Sequence, residues 1–299
     1  MADMQNAYSR DALFEVLCDP RVTFRAGSRE RSATQALRAH WPEYLIEASL
    51  LGTFLMFACA VTAVLQHPAS PVRQAMPNDV LRRALTGMAM GLTAISLIYS
   101  PWARRSGAHF NPVTTLTFYR LGKVDGWDAL FYVLAQFLGG ALGAFIAGVL
   151  LGPAVSHASV RFAATTPHQH GAGIAFVAEA LISFGLMTAV LNVSNSARWM
   201  HLTGVCAGLL VATYITFEAP FSGMSMNPAR TLASAVNGRL WTALWVYFTA
   251  PPLGMLAAAG LFTRLRGSAR VYCAKLNHGI GERCIFRCRH SELVRQSHL

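Results

Sequence analysis

Two segments of the chain, SGAHFNPVTTL at residues 106–116 and SGMSMNPARTL at residues 222–232, share the frame S-G-x-x-x-N-P-x-x-T-L. Six identities at fixed spacing in so short a window indicate an internal repeat, displaced by 116 residues. In each segment the Asn is a favoured N-cap, and the Pro suits the first position of a helix. Each segment therefore predicts the start of a helix.

Charged residues avoid six long stretches of the chain. Hydrophobic residues make up 54% of the 299 residues and charged residues only 13%, about half the charged fraction of an ordinary globular domain. This composition excludes a disordered protein, and six Cys are too sparse for a disulfide scaffold. About 20 apolar residues span a bilayer as a helix. The six stretches predicted to be transmembrane helices are 44–65, 84–101, 129–152, 171–197, 202–217 and 240–263.

The net charge of +11 indicates membrane orientation and predicts no nucleic acid partner. With the N-terminus in the cytoplasm, 19 of the 25 Lys and Arg lie in cytoplasmic segments, as the positive-inside rule requires. An even number of crossings returns the C-terminus to the same side. We therefore expect an integral membrane protein with both termini in the cytoplasm.

Each repeat holds three predicted helices and one Asn-Pro segment, so the second repeat is inverted relative to the first. Residues 113–121 and 229–236, which follow the two Asn-Pro pairs, are too short to cross the membrane alone. They are predicted to be half-helices that enter from opposite faces and meet at their N-termini. Because irregular backbone at membrane depth requires adjacent protein or a water-filled cavity, this geometry implies a pore.

The predicted fold is thus an all-α polytopic membrane protein with six transmembrane helices and two half-helices in two inverted repeats. The expected divisions are an N-terminal cytoplasmic tail (1–43), a channel domain (44–262, with repeats 44–151 and 172–262) and a basic C-terminal cytoplasmic tail (263–299).

These features resemble the aquaporin, or major intrinsic protein, family over about residues 44–262. The resemblance rests on the motifs Asn111-Pro112-Val113 and Asn227-Pro228-Ala229, on the Arg230 that follows the second motif, and on Glu47 and Glu179 near the start of each half. Val113 departs from the Ala of the usual family motif. The resemblance implies a bacterial member of the water-channel-like branch, a homotetramer with one pore per subunit, and a place in the plasma or inner membrane.

The resemblance also implies roles for individual residues. Asn111 and Asn227 would present side-chain N–H donors to the permeant where the half-helices meet. Arg230 would line a narrow outer constriction, with a salt bridge to Glu218 as the alternative. The other constriction positions implied by family spacing are Met224, either Met90 or Gly91, and Ile215, or Thr213 if the preceding connection is longer than usual.

Selectivity indications are mixed. No His lies between residues 205 and 216, where strict water channels usually have one, so water exclusivity is not implied. Thr231, Ala235 and the pair Tyr247-Phe248 are similar to residues of water channels at positions where glycerol channels differ.

For three ionisable residues that we expect to be buried, the sequence leaves open a structural role and a functional role. By resemblance, Glu47 and Glu179 accept hydrogen bonds from the loops that precede the half-helices, with pore lining as the alternative. His109, two residues before Asn111, forms a loop-stabilising hydrogen bond or acts as a pH sensor.

The last tail contains Cys273, Cys284, Cys288, His278 and His290. The spacing C-x10-C-x3-C is not a standard zinc pattern, so we expect free thiols in a reducing cytoplasm and no metal site. The basic tail is expected either to contact anionic lipid headgroups or to be solvated.

The sequence as a whole predicts a passive channel for water, with small neutral solutes such as glycerol as further permeants, that excludes protons and ions. No cofactor and no catalytic residues are expected. The alternative is an ion-coupled secondary transporter of a small solute, which would use Glu47 or Glu179 for coupling. A membrane enzyme would require a clustered nucleophile or metal-ligand set within the spans, and the sequence shows none.

Overall fold

The computed structural model describes residues 31–279 and 283–296, so most of the predicted N-terminal tail lies outside the described residues. Within these ranges the chain is helical and contains no strand. The eight helices of nine or more residues are α1 (Ala33–Gln66), α2 (Asp79–Ile98), α3 (Pro112–Arg120), α4 (Gly126–Leu151), α5 (Gly171–Ser194), α6 (Thr203–Phe217), α7 (Pro228–Gly238) and α8 (Leu244–Arg266). The shorter helices are Pro71–Ala75, Pro101–Ser106, Pro153–Ser156, Ala219–Ser222 and His290–Gln296, with 3₁₀ turns at Arg161–Ala163, Met200–Leu202 and Ser268–Arg270.

Six of these helices are long, and α3 and α7 are the two half-helices. Five segments in the described ranges are long and apolar enough to cross a membrane: α1, α4, α5, α8, and α6 together with the 3₁₀ turn that precedes it. The sixth, α2, has 20 residues and carries Asp79, Arg82 and Arg83 at its start, which lowers its mean hydropathy. Because α2 packs along α6 and α1, it completes the bundle. The predicted fold class is confirmed.

The helices extend beyond the apolar stretches at both ends of the bundle. α1 begins at Ala33, where Ser32 caps the helix and exchanges side-chain hydrogen bonds with Gln35 in a capping box. α8 continues to Arg266. Both helices therefore start or end outside the predicted channel domain, because hydropathy marks only the part of a helix that lies in lipid.

The two repeats pack in the same way. α1 pairs with α4, and α5 pairs with α8. A Cβ at Gly139 of α4 would overlap the backbone of Ala48, and a Cβ at Gly254 of α8 would overlap the backbone of Ala180. These are equivalent positions of the two repeats, and small residues at such crossings let membrane helices approach closely.

Residues 271–276 of the C-terminal tail are buried against one end of the bundle. We call this the inner end, because α2, α5 and α8 end there. The Leu276 amide donates to the Gly107 carbonyl at 3.0 Å, and the Arg287 amide donates to the Lys123 carbonyl at 2.9 Å. This part of the tail is therefore a docked segment, and neither a solvated extension nor a purely lipid-facing one.

Candidate functional site

The half-helices α3 and α7 begin at the two Asn-Pro motifs, which face each other. The Asn111 side-chain amide donates to the Met226 carbonyl at 2.8 Å, and the Asn227 amide donates to the Phe110 carbonyl at 2.8 Å. Each Asn oxygen also caps its own half-helix, since Asn111 accepts from the Val113 amide. Asn227 accepts from the amides of Ala229 and Arg230.

A primary amide has two N–H donors, so each Asn keeps one for a ligand. Both Asn side chains line a cavity between the two halves of the bundle. Pro112, Val113, Pro228 and Ala229 are buried beside them. The two cross-loop bonds have the same length although Val113 is larger than Ala229.

The two loops that lead into the half-helices have the same strained backbone conformation. Ala108 and Phe110 in the first loop, and Met224 and Met226 in the second, have positive φ angles between 29° and 60°. Non-glycine residues in this region cost about 1–3 kcal/mol each and persist only where their surroundings impose them.

Glu47 anchors the first loop from α1. Its carboxylate is fully buried and accepts from the Ser106 hydroxyl at 2.7 Å, from the amides of His109 and Phe110 at 3.1 and 2.6 Å, and from the Gln136 side chain at 2.8 Å. These bonds hold the amide of the strained Phe110 and that of its neighbour His109 to one carboxylate.

Glu179 anchors the second loop from α5 in the same way. It accepts from the Ser222 hydroxyl at 2.8 Å and from the amides of Ser225 and Met226 at 2.6 and 2.7 Å. Neither Glu47 nor Glu179 is among the residues that line the cavity. The contacts implied by the resemblance are present, and the pore-lining alternative is not favoured.

A tyrosine supports each loop from the last long helix of its repeat. The Tyr132 hydroxyl donates to the Ser106 carbonyl at 2.6 Å, and the Tyr247 hydroxyl donates to the Ser222 carbonyl. Tyr132 was not among the predicted residues, although it lies as far before Gly139 as Tyr247 lies before Gly254. Phe248 stacks on Phe137 and so contributes to packing.

The cavity extends toward the outer end of the bundle. A second cavity adjoins it there, and five residues line both cavities: Ala58, Met90, Ile215, Met224 and Arg230. We call these five residues the neck. Four of these residues have apolar side chains, so the side-chain hydrogen-bond donors of the neck come from Arg230. Of the five, only Ala58 was not predicted from the sequence, because nothing distinguishes a small residue within an apolar span.

The Nη1 atom of Arg230 is available to donate hydrogen bonds to a permeant. This atom is buried, and neither Nη1 nor the carboxylate oxygens of Glu218 has a hydrogen-bond partner among the described residues. The alternative ion pair between Arg230 and Glu218 is absent from the part of the chain that the structure describes.

Two candidates for the constriction do not face the cavity. The Thr213 side chain is exposed and donates to the Leu209 carbonyl of its own helix, so its assignment is wrong. Two residues correspond to about 200° around a helix, which turns Thr213 away when Ile215 faces the neck. Gly91 packs against the Gly208 backbone, which leaves Met90 as the neck residue of α2.

His109 lies at the inner end of the cavity, together with Ile98 and Leu276. We call this end of the cavity the inner mouth. One ring nitrogen of His109 pairs with the Thr115 hydroxyl at 3.0 Å, and the other with the Ala274 carbonyl at 2.8 Å. The ring is stacked between Phe118 and Phe286. With both nitrogens engaged, this geometry favours the loop-stabilising role over the pH sensor.

The tail brings together side chains that are far apart in sequence. Cys273, His278, Cys284 and Cys288 each offer one ligand atom, and these four atoms lie within 4.8 Å of one another. The expectation of no metal site rested on linear spacing alone, and the geometry argues against it.

Comparisons with known proteins agree with this arrangement. The model of the major intrinsic protein family matches residues 36–262. Aquaporin NIP2-2 of Zea mays is 36% identical over 183 residues, which cover 60% of this chain and 59% of the relative. Aquaporin NIP1-2 of Oryza sativa is 33% identical over 225 residues, which cover 74% of this chain and 71% of the relative. The chain thus matches only about three fifths of the length of the maize relative.

Among solved structures, the aquaglyceroporin from Plasmodium falciparum matches with a TM-score of 0.64 and 21% sequence identity, over 77% of this chain and 98% of that one. This match concerns the fold alone. The relatives named above come from plants, so the bacterial source remains a prediction. The family model spans most of the chain, and the rice relative is similar both in sequence identity and in the share of each chain that is covered. The chain therefore belongs to the major intrinsic protein family.

Proposed function

We propose that the protein is a passive channel for water and small neutral solutes that excludes protons and ions. The observation that carries this proposal is the meeting of two half-helix N-termini beside one cavity, with a free N–H of Asn111 and of Asn227 left for the permeant. The relatives named as aquaporins and the fold neighbour named as an aquaglyceroporin support the same activity.

The half-helices would exclude cations electrostatically. Each helix N-terminus is equivalent to roughly half a positive charge, and α3 and α7 direct theirs at the same point. A water molecule at that point accepts from both Asn side chains, so its own hydrogens turn outward along the pore. This orientation interrupts the hydrogen-bonded file that a proton requires, which is the mechanism generally attributed to pores of this type.

The neck would select by size and by charge. Arg230 donates hydrogen bonds to a permeant and repels cations, while Met90, Ile215 and Met224 give the rest of the neck an apolar wall. An apolar wall with one donor suits water and small neutral molecules with an apolar side. Glycerol is therefore included among the proposed permeants.

The alternative of an ion-coupled transporter is not favoured by the site. Coupling requires an ionisable or coordinating group that the permeating ion can reach. Both candidate acids lie off the cavity, and each is engaged with three or more donors of the loops. No cofactor enters the proposed mechanism.

We further propose the plasma or inner membrane as the location, with both termini in the cytoplasm, and a homotetrameric assembly. The bias of Lys and Arg toward the inner segments supports the orientation. Large apolar side chains such as Leu138, Leu142 and Phe145 of α4 are exposed, and they are available to contact lipid or a neighbouring subunit. The inner end defined above is then cytoplasmic.

Stopped-flow light scattering on proteoliposomes tests the function. Faster osmotic shrinkage than in protein-free liposomes, and glycerol entry that is unchanged when proton and sodium gradients are dissipated, are the expected results. Solute uptake that stops when those gradients collapse, together with slow shrinkage in every condition, would replace the channel with the transporter.

A further inference from the structure

We propose that Cys273, His278, Cys284 and Cys288 form a Zn²⁺ site that holds residues 271–279 and 283–289 of the tail across the inner mouth of the pore. The metal site itself does not depend on the proposed function, whereas its effect on permeation does. The family model ends at residue 262, so this site lies outside the part of the chain that the model matches.

Two distances between ligand atoms are close to those of a tetrahedral zinc site, and all four atoms lie within 4.8 Å of one another. Zn–S bonds of about 2.3 Å place two sulfurs about 3.8 Å apart in a tetrahedron, and a nitrogen slightly closer to each sulfur. The Cys273 and Cys284 sulfurs are 3.6 Å apart, and the His278 Nε2 atom is 3.2 Å from the Cys288 sulfur. Three thiolates and one imidazole form a closed donor set typical of structural zinc.

The surroundings of the ligands favour metal binding. The backbone amides of Lys275 and His290 direct their hydrogens at the sulfurs of Cys273 and Cys288, at 3.5 and 3.4 Å, which offsets the charge of thiolates. The other ring nitrogen of His278, Nδ1, is 2.8 Å from the Gly279 carbonyl. A metal-ligating His usually donates its second N–H in this way, which leaves Nε2 free for the metal.

The charge of the site is also balanced. Zn²⁺ with three thiolates and a neutral His carries a net charge of −1, and the segment around it contains Lys275, Arg283, Arg287 and Arg289. The Lys275 ammonium donates to the Arg283 carbonyl at 2.9 Å, which joins the two described parts of the segment beside the cluster.

The segment lacks the elements that would stabilise it alone. In the described parts of residues 271–289 there is no helix or strand, and a chain this short buries too little apolar surface to hold a single conformation. A structural metal supplies folding free energy directly in such cases. Zinc binding therefore explains how the segment keeps the shape that fits the channel.

The segment that the cluster shapes contacts the inner end of several helices. The Asn277 side chain donates to the Ile98 carbonyl of α2 at 3.2 Å, and the Tyr272 amide donates to the side chain of Asn195, which follows α5, at 2.7 Å. Arg283 donates to the Ala39 carbonyl of α1 at 3.0 Å. These contacts span the cavity opening.

Leu276 is the residue that closes the opening. It lies between the ligands Cys273 and His278 in sequence and lines the pore cavity itself. On one side of it, the Ala274 carbonyl pairs with His109, and the Phe286 ring stacks on the same His. Metal occupancy and closure of the inner mouth are therefore coupled through one short loop.

Metal analysis tests the site. Full-length protein purified with a tag that contains no His is expected to hold about one zinc ion per chain. The double variant Cys284→Ser/Cys288→Ser is expected to hold no more zinc than the buffer, because it lacks half of the ligands. The control Cys206→Ser, on α6 and outside the cluster, keeps the wild-type content.

A second measurement does not depend on the folding of the variant. Wild-type protein stripped of zinc and titrated with Co²⁺ is expected to develop thiolate-to-cobalt absorption that added Zn²⁺ abolishes. Wild-type protein that takes up neither ion overturns the proposal, and so does zinc-free protein that yields a peptide with a Cys273–Cys284 disulfide.

Stopped-flow shrinkage tests the coupling. With Zn²⁺ present, wild-type proteoliposomes are expected to shrink several-fold more slowly than after a membrane-permeant zinc chelator is added. Leu276→Ala is expected to shrink rapidly in both conditions. Bound zinc whose removal leaves wild-type shrinkage unchanged contradicts the closure. Slow shrinkage of every protein, including the chelated wild type and Leu276→Ala, contradicts the channel function instead.

Discussion

Glu47 and Glu179 stabilise the two loops that place the pore residues. Each buried carboxylate collects hydrogen bonds from backbone amides with positive φ angles or from their neighbours. The sequence could predict these acids because the repeat aligns them. It could not predict Ala58 or Tyr132, since the first is an ordinary small residue in an apolar span and the second depends on a contact across the bundle.

Arg230→Ala is expected to weaken the barrier to ions. Loss of a charged hydrogen-bond donor of about 1.5–3 kcal/mol corresponds to roughly a 10- to 150-fold change in the rate of a step that it controls. Proton leak into proteoliposomes, followed with an internal pH dye, should rise within that range while osmotic water flow persists. The control Arg239→Ala changes the exposed Arg that follows α7. An equal leak in both variants would contradict the role of Arg230.

Glu179→Leu is expected to destabilise the protein strongly. It leaves the Ser225 and Met226 amides without their acceptor, at a cost of about 1–3 kcal/mol each. Glu179→Gln keeps one acceptor oxygen, so its melting temperature should lie between those of the wild type and Glu179→Leu. The measurement is thermal unfolding in detergent, with the exposed Glu292→Leu as control. Indistinguishable melting of the three Glu179 proteins would show that this carboxylate does not support the loop.

At the scale of helices, the fold depends on close crossings at equivalent positions of the two repeats. The position of each span follows from hydropathy and the half-helices follow from the Asn-Pro motifs, so the sequence was sufficient for the element order. It was not sufficient for helix ends, because α1 starts at a capping box in a polar segment. Nor could it separate Ile215 from Thr213, since that choice depends on the rotation of α6.

Gly139→Val and Gly254→Val are expected to disturb matching crossings in the two repeats. Each added side chain meets the backbone of the facing helix, and overpacking of this kind costs about 1–3 kcal/mol or more. Both variants should show lower melting temperatures and less monodisperse protein by size-exclusion chromatography. The control Gly173→Ala meets nothing within 4 Å and should melt at or slightly above the wild-type temperature. If Gly139→Val behaved like Gly173→Ala, the close crossing of α1 and α4 would be wrong.

At the scale of the molecule, the structure combines a symmetric bundle with an asymmetric tail. The bundle was predictable because bilayer thickness and repeat symmetry constrain it strongly. The docking of the tail was not, because its ligand set comes from irregular backbone, and Leu276 reaches the cavity only through a loop with no periodic pattern. The basic composition of the tail therefore does not predict that the tail contacts the pore.

The central claim is that the permeant crosses the cavity between the half-helices, and one substitution tests it most directly. Ala58 lines both cavities at the neck, so Ala58→Trp should fill the passage. The control Leu138→Trp adds the same ring at an exposed position of α4. With the zinc chelator present and both proteins monodisperse, osmotic shrinkage of Ala58→Trp proteoliposomes should fall to the rate of protein-free liposomes, while Leu138→Trp keeps the wild-type rate. Wild-type water flow through Ala58→Trp would contradict a pore at this place.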